Sequence, residues 1–181
     1  AYSSVAHMGY VTAAIFSFTE EGIKGAIFQM VSHGVVSSAL FLSIGVLYEQ
    51  TKSREISNYS FLVKSMPLFS LFFIVIVLSS IGLPGTSGFI GELMSVLGVY
   101  KYNAFYGFLV AFGLILGAIY MLKLEKIIIF VSGDSKVSNM KDLVLTENIL
   151  LLIFVGSTIL LGLFPNLLLQ FIDASVMQIL L

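Results

Sequence analysis

Apolar runs separated by short polar clusters dominate the chain, and the spacing of its charges divides them into candidate membrane crossings. A helix needs about 20 mostly apolar residues to cross a hydrocarbon core about 30 Å thick. Four uncharged runs satisfy this: 1–19, 25–48, 102–122 and 148–172, the last interrupted by Pro165. A fifth run, between Lys64 and Lys101, contains Glu92 as its only charged residue. As one unbroken helix it would extend about 50 Å, too long for a single crossing. The segment Gly82-Leu83-Pro84-Gly85-Thr86-Ser87-Gly88 supplies the break, because proline cannot continue the hydrogen-bond ladder and glycine tolerates unusual backbone angles. The pattern therefore predicts an all-α polytopic helix bundle of about five transmembrane helices, one of them discontinuous. Its expected helices are about 1–19, 24–48, 66–100 broken near 82–88, 102–124 and 148–164, with a short outer-surface helix at 166–181. The alternative is a helical hairpin with Pro84 in an interfacial turn, which adds a crossing and brings Glu92 near the surface.

The charges favour five crossings. Lys24 and Lys101 then share one face, and Lys52, Arg54, Lys64, Lys123, Lys126, Lys136 and Lys141 share the other. Loops rich in lysine and arginine stay on the cytoplasmic or matrix side, so the second face is assigned as inner. The segment 130–147 reads as an inner loop, and Lys123, Glu125 and Lys126 as residues snorkelling to that interface. Glu20 and Lys24, at i, i+4 spacing, read as a surface pair.

With 58% hydrophobic and 10% charged residues the chain falls outside the range of soluble domains, and lipid is its expected surroundings. A net charge of −1 gives no reason to expect nucleic acid. The absence of cysteine excludes disulfides and thiolate-held metals, and two histidines cannot alone build a structural zinc site. No phosphate loop or nucleophile triad is present. The chain opens at Ala1 without an initiator methionine or a signal-like basic region, so further sequence is expected upstream.

An ionisable side chain at membrane depth costs about 2.5–3.5 kcal/mol on insertion scales and marks a candidate site. Glu92 lies nine residues before Lys101, about 13 Å from the outer end of a regular helix. His33 lies nine residues after Lys24, at a similar depth, and His7 twelve before Thr19, about 18 Å in. A carboxyl beside a helix break suits proton uptake and release, and an imidazole can pass a proton between its two nitrogens. Glu92, His33 and His7 are therefore the candidate proton-transfer residues. Ser32, Ser37, Ser38 and Thr86, with Ser3, Ser4 and Ser87, are candidate polar lining; Gly82, Pro84 and Gly85 form the break. The bland reading is a neutral glutamic acid, two packing histidines, and serines that let helices approach closely.

Several stretches resemble the antiporter-like subunits of respiratory complex I (NADH:quinone oxidoreductase), most closely the subunit 4 type, called M in bacteria. Residues 1–9 (AYSSVAHMG) resemble the start of that family's tenth helix, residues 29–34 (QMVSHG) its eleventh, and residues 47–54 (LYEQTKSR) the loop that follows. Residues 82–92 (GLPGTSGFIGE) resemble its broken twelfth helix, including the acidic residue. Related subunits 2 and 5 usually carry lysine where Glu92 stands. The resemblance implies fourteen helices in the whole family fold, of which this chain supplies the last five, without the glutamate of the fifth helix or the lysines of the seventh and eighth. It implies that His7 and His33 sit on a central hydrophilic axis, with Glu92 as its terminal site.

The same resemblance implies a non-redox membrane subunit of proton-translocating NADH:ubiquinone reductase, contributing the outer part of a proton pathway. NADH, FMN, iron–sulfur clusters and ubiquinone would then belong to other subunits, with no cofactor or metal on this chain. The implied partners are an N-terminal portion of the same subunit, as expected if the gene is split or the chain is a fragment of a longer subunit, together with neighbouring antiporter-like subunits and lipid. The implied location is the mitochondrial inner membrane or, alternatively, a bacterial plasma membrane. A mainly structural scaffold of the membrane arm, and a subunit of a related cation/proton antiporter or membrane hydrogenase, are the competing readings.

Overall fold

The structure is a computed structural model describing residues 2–59, 61–131 and 140–180 of the 181. Lys136 and the middle of the 130–147 segment lie outside the described residues. Among the described residues eight helices follow one another: α1 (Tyr2–Ile15), α2 (Glu20–Thr51), α3 (Leu62–Ser65), α4 (Pro67–Ser80), α5 (Ser87–Tyr102), α6 (Ala104–Glu125), α7 (Leu145–Leu163) and α8 (Asn166–Leu180). A π-helical turn, Lys126–Phe130, prolongs α6, and a 3-10 turn, Ile56–Asn58, lies between α2 and α3. There is no strand among the described residues. Glu20–Thr51, Ala104–Phe130 and Leu145–Leu163 are long and apolar enough to cross a membrane singly, and Pro67–Ser80 is a shorter apolar helix.

Local chemistry sets several helix ends. The Thr19 hydroxyl accepts from Gly22 N at 3.2 Å, and Asn103 Oδ1 accepts from Phe105 N at 2.9 Å, each satisfying an orphan donor of the first turn. Pro67 opens α4, where its missing N–H costs nothing. The Asp142 carboxylate accepts from Leu68 N at 2.9 Å and Phe69 N at 3.1 Å, tying the segment before α7 to the start of α4.

The long helix α2 is the spine. Gly22 faces Gly98, Gly25 faces Ser95 and Gln29 faces Gly91, all on α5. Farther along, Val36 and Ala39 pack with Phe72 and Ile76 of α4, then Val46 and Leu47 with Met66 and Phe69. Partner numbers fall steadily from 98 to 66 as α2 advances. α4, the break and α5 therefore lie end to end, antiparallel to α2, as one discontinuous crossing. A hairpin would instead lay α4 and α5 side by side. Close approach through small residues matters here because lipid tails are as apolar as leucine, so packing rather than water exclusion holds membrane helices together.

The break itself is folded back on protein. Gly82 (φ +72°) and Gly85 (φ +93°) take left-handed angles open to residues without a Cβ. Leu83 N donates to Leu78 O at 3.0 Å and Thr86 N to Leu83 O at 3.0 Å, so freed backbone groups find partners at membrane depth. Gly162 of α7 presses on the Gly85–Thr86 peptide and covers one side.

Most of α6 is turned outward, with Phe108, Phe112, Ile115 and Ile119 more than half exposed. Glu125 departs from expectation: it is buried rather than snorkelling. The helical repeat puts it on the α6 face of Met121, Ile128 and Ile129, which packs on the core near Tyr59 and Leu62.

Candidate functional site

The break places Glu92 in the second turn of α5, and the register of α5 on α2 sets Gln29 beside it. Gln29 Nε2 donates to Glu92 Oε1 at 3.4 Å. α1 crosses the same region and brings His7 Nδ1 to 3.2 Å from that oxygen. This is within ion-pair range, yet the His7 ring is not aligned for a direct N–H···O hydrogen bond. Glu92 is 4% exposed, His7 7% and Gln29 2%. The backbone at Gly82 closes over the other carboxylate oxygen: a Cβ there would collide with Glu92 Oε2. The glycine thus serves the turn and leaves space for the carboxylate.

His33 is half-buried on α2, one helical turn beyond Gln29. Its ring centroid lies 5.3 Å from that of His7, the planes tilted by 35°. His7 thus neighbours both His33 and Glu92. Protonation of His7 turns its contact with the carboxylate into an ion pair, whereas transfer of that proton to Glu92 leaves both neutral. Net charge is the same in both forms, so a proton can move between them without creating an uncompensated buried charge.

The other candidate residues divide. Ser32 Oγ donates to Ser87 Oγ at 2.7 Å, a buried link between α2 and α5 one turn below Gln29. Ser37 borders the cavity described below. Ser38 is exposed and donates to Gly34 O of its own helix at 2.7 Å, away from Glu92. Thr86 donates to Leu83 O at 2.7 Å and helps close the break instead of lining a passage. Gln29 and Tyr10 were not singled out from sequence. Their spacing was the available signal, since Gln29 precedes His33 by four residues and Tyr10 follows His7 by three, sharing helical faces with them. Tyr10 meets His7 edge-on with centroids 5.7 Å apart.

A cavity of about 410 Å³ runs along α2. One end is bordered by His7, Gln29, Ser32 and His33, the other by Ser53, Arg54 and Tyr59, with Val36, Leu40, Phe41 and Leu47 between. Both ends carry polar groups, and the stretch of α2 between them is mostly apolar apart from Ser37. No cluster of three or more potential metal ligands occurs among the described residues.

At the end of the crossings bearing Lys24 and Lys101, charged groups pair across elements. Lys24 Nζ contacts Glu20 at 2.6 Å and Asp173 of α8 at 2.8 Å, and Lys101 pairs with Glu21.

Residues 1–119 match the family described as NADH:quinone oxidoreductase/Mrp antiporter, TM. NADH-quinone oxidoreductase subunit M of Rickettsia prowazekii is 50% identical over 182 residues, covering 100% of this chain and 37% of that protein. NADH-ubiquinone oxidoreductase chain 4 of Marchantia polymorpha is 42% identical over 179 residues, covering 97% of this chain and 36% of its own length. The chain thus spans little more than a third of the relatives it matches. Among solved structures, a chain of respiratory complex I from Thermus thermophilus with bound NADH superposes with a TM-score of 0.90 at 33% identity, over 99% of this chain and 38% of its own. A chain of the Mrp complex from Dietzia sp. DQ12-45-1b shares the fold, with a TM-score of 0.84 at 22% identity over 97% of this chain and 41% of its own.

Proposed function

The chain belongs to the NADH:quinone oxidoreductase/Mrp antiporter transmembrane family, and on that premise we propose that it forms the C-terminal, outer part of a proton pathway in a subunit 4 (M) of respiratory complex I. The observation that carries this reading is the contact of His7 with both His33 and Glu92, the buried His7 and Glu92 being 3.2 Å apart beside a helix break. In it His33 hands a proton to His7, which takes it on one ring nitrogen and releases another from Nδ1. Glu92 accepts that proton, with Gln29 Nε2 holding the carboxylate in place. In this reading water enters the α2 cavity from the Arg54 side, the inner face by charge bias, and reaches His33 past Ser37. The chain itself would carry no redox chemistry. NADH, flavin, iron–sulfur clusters and quinone belong, in this reading, to other subunits of the assembly.

In this reading the rest of the pathway is contributed by sequence outside residues 1–181. A separate N-terminal portion would pack against α1 and α2, whose Tyr2, Val5, Phe41 and Ile44 are largely exposed, and antiporter-like neighbours and lipid would cover other faces. The mitochondrial inner membrane, or a bacterial plasma membrane, is the proposed location.

The Ser32–Ser87 and Gln29–Glu92 bonds also fit a second reading, in which the buried polar groups only tie helices together. Replacing Glu92 with glutamine separates the two, because the amide keeps size and hydrogen bonding but cannot take up a proton. Transport requires loss of protons moved per NADH oxidised by the assembled complex in sealed vesicles. Unchanged proton yield would leave only the scaffold.

A further inference from the structure

Gln29 gives Glu92 a donor and holds a second polar atom that has no partner. The side chain is 2% exposed, and its Nε2 donates to Glu92 Oε1 at 3.4 Å, the long end of the hydrogen-bond range. His7 Nδ1 approaches the same carboxylate oxygen, at 3.2 Å. The amide oxygen of Gln29 is buried and meets no donor among the described residues. It lies against Gly91 of α5, where a Cβ would collide with Gln29 Oε1 and sit 2.9 Å from Gln29 Cβ. The bare backbone at Gly91 thus makes a slot for the amide, next in sequence to the carboxylate it serves. An amide oxygen and an NH₂ group are close in size, so a slot that holds one orientation of the amide holds the other. A half-turn about the Cγ–Cδ bond puts Oε1 where Nε2 stands, facing the same oxygen of Glu92.

The two orientations suit the two forms of the carboxyl group. An ionised carboxylate only accepts, and Nε2 serves it; a neutral carboxyl carries an O–H that needs an acceptor. If His7 Nδ1 is that acceptor, the proton stays poised to return to the atom that gave it. We propose that Gln29 is a two-position latch on Glu92, donating through Nε2 while Glu92 is ionised and turning to accept from the Glu92 O–H through Oε1 once a proton has crossed from His7. In that transfer the Nδ1–H bond of the His7 imidazolium breaks, an O–H bond forms on Glu92 Oε1, and both groups become neutral. Turning the O–H toward Gln29 withdraws it from Nδ1 and supplies the buried Oε1 with a donor, and a buried acceptor left unpaired is costly. Gln29 acts here through Glu92, as a positioning residue. The proposal rests on the proton-pathway reading above and adds to it a means of keeping direction.

The test is infrared difference spectroscopy of the assembled complex, its glutamine isotopically labelled at the side-chain carbonyl, between resting and NADH-energised states. As Glu92 becomes protonated, a glutamine carbonyl band should move to lower frequency, because Oε1 passes from no partner to an O–H donor. That shift should vanish in Gln29→Met, and equally in Gln29→Glu, which keeps the size and polarity of the side chain should the methionine variant fail to assemble. The latch is overturned by the absence of a glutamine shift in the wild type, by a shift that persists in the variants, or by an upward shift, which marks an Nε2 that merely loses its charged acceptor. A second readout is protons moved per NADH oxidised in sealed vesicles. Gln29→Met should lose yield progressively as the opposing gradient builds, because protons return to His7; a loss independent of the gradient, or no loss, also overturns the latch. Glu92→Gln, run alongside, reports on the underlying reading. Normal pumping in Glu92→Gln removes the pathway itself, whereas its impairment together with a gradient-independent result in Gln29→Met removes only the latch.

Discussion

Gly82 is where the turn and the carboxylate meet, and replacing it with alanine should act on both. The left-handed backbone at φ +72° disfavours a side chain by about 1–2 kcal/mol. The added Cβ also collides with Glu92 Oε2 and lies 3.4 Å from Glu92 Cδ. Glu92 is held from its other oxygen by His7 and Gln29 and cannot swing away freely, so this overpacking adds about 1–3 kcal/mol. Gly85 is the internal control. Its φ of +93° is at least as unfavourable for alanine, but nothing lies within 4 Å of its Cβ position. Gly85→Ala should therefore cost about 1–2 kcal/mol, and Gly82→Ala clearly more. The excess should vanish when Glu92 is also replaced by alanine, giving a coupling of about 1–3 kcal/mol in a double-mutant cycle. Unfolding of the chain in mixed micelles, titrated with a denaturing detergent, measures each variant. Equal costs for the two glycine variants, or an excess that survives Glu92→Ala, would refute the argument that Gly82 makes room for the carboxylate.

Two further outcomes follow from the same geometry. His7→Phe should destabilise the chain, by about 3–5 kcal/mol if the pair is ionised, with a large part restored by adding Glu92→Gln; additive losses in the same titration would show that the two residues are not partners. Asp142→Ala strips two acceptor contacts from the start of α4 and should cost about 0.5–2 kcal/mol, with faster amide exchange at Leu68 and Phe69 than at the middle of α4; unchanged exchange there would contradict the cap.

Hydropathy and charge carry depth, and depth made much of the fold legible. The proline and glycines between Gly82 and Gly88 announced the break, and Glu92, His33 and His7 could be placed at similar levels because helix rise converts residue counts into distance. Rotation about a helix axis was not legible in the same way. Ser38 and Ser37 are adjacent in sequence, yet one bonds its own helix on an exposed face and the other borders the cavity. Glu125 looked like an interfacial residue by position, and its helical phase buries it. The direct neighbours of Glu92 depend on the register of α5 against α2 and on where α1 crosses them. That register is set by Gly22, Gly25, Gly91 and Gly98, whose close approaches leave no periodic signature in hydrophobicity. Gln29 was therefore visible only as a polar residue one turn from His33, without a partner assigned to it.

The proposed pathway requires Glu92 to gain and lose a proton during turnover. Infrared difference spectroscopy of the assembled complex, comparing resting and NADH-energised states, observes this directly through the carbonyl stretch of a protonated carboxyl group. A difference band that moves in Glu92→Asp and disappears in Glu92→Gln is the expected result. A carboxyl difference spectrum identical in wild type and both variants would contradict it.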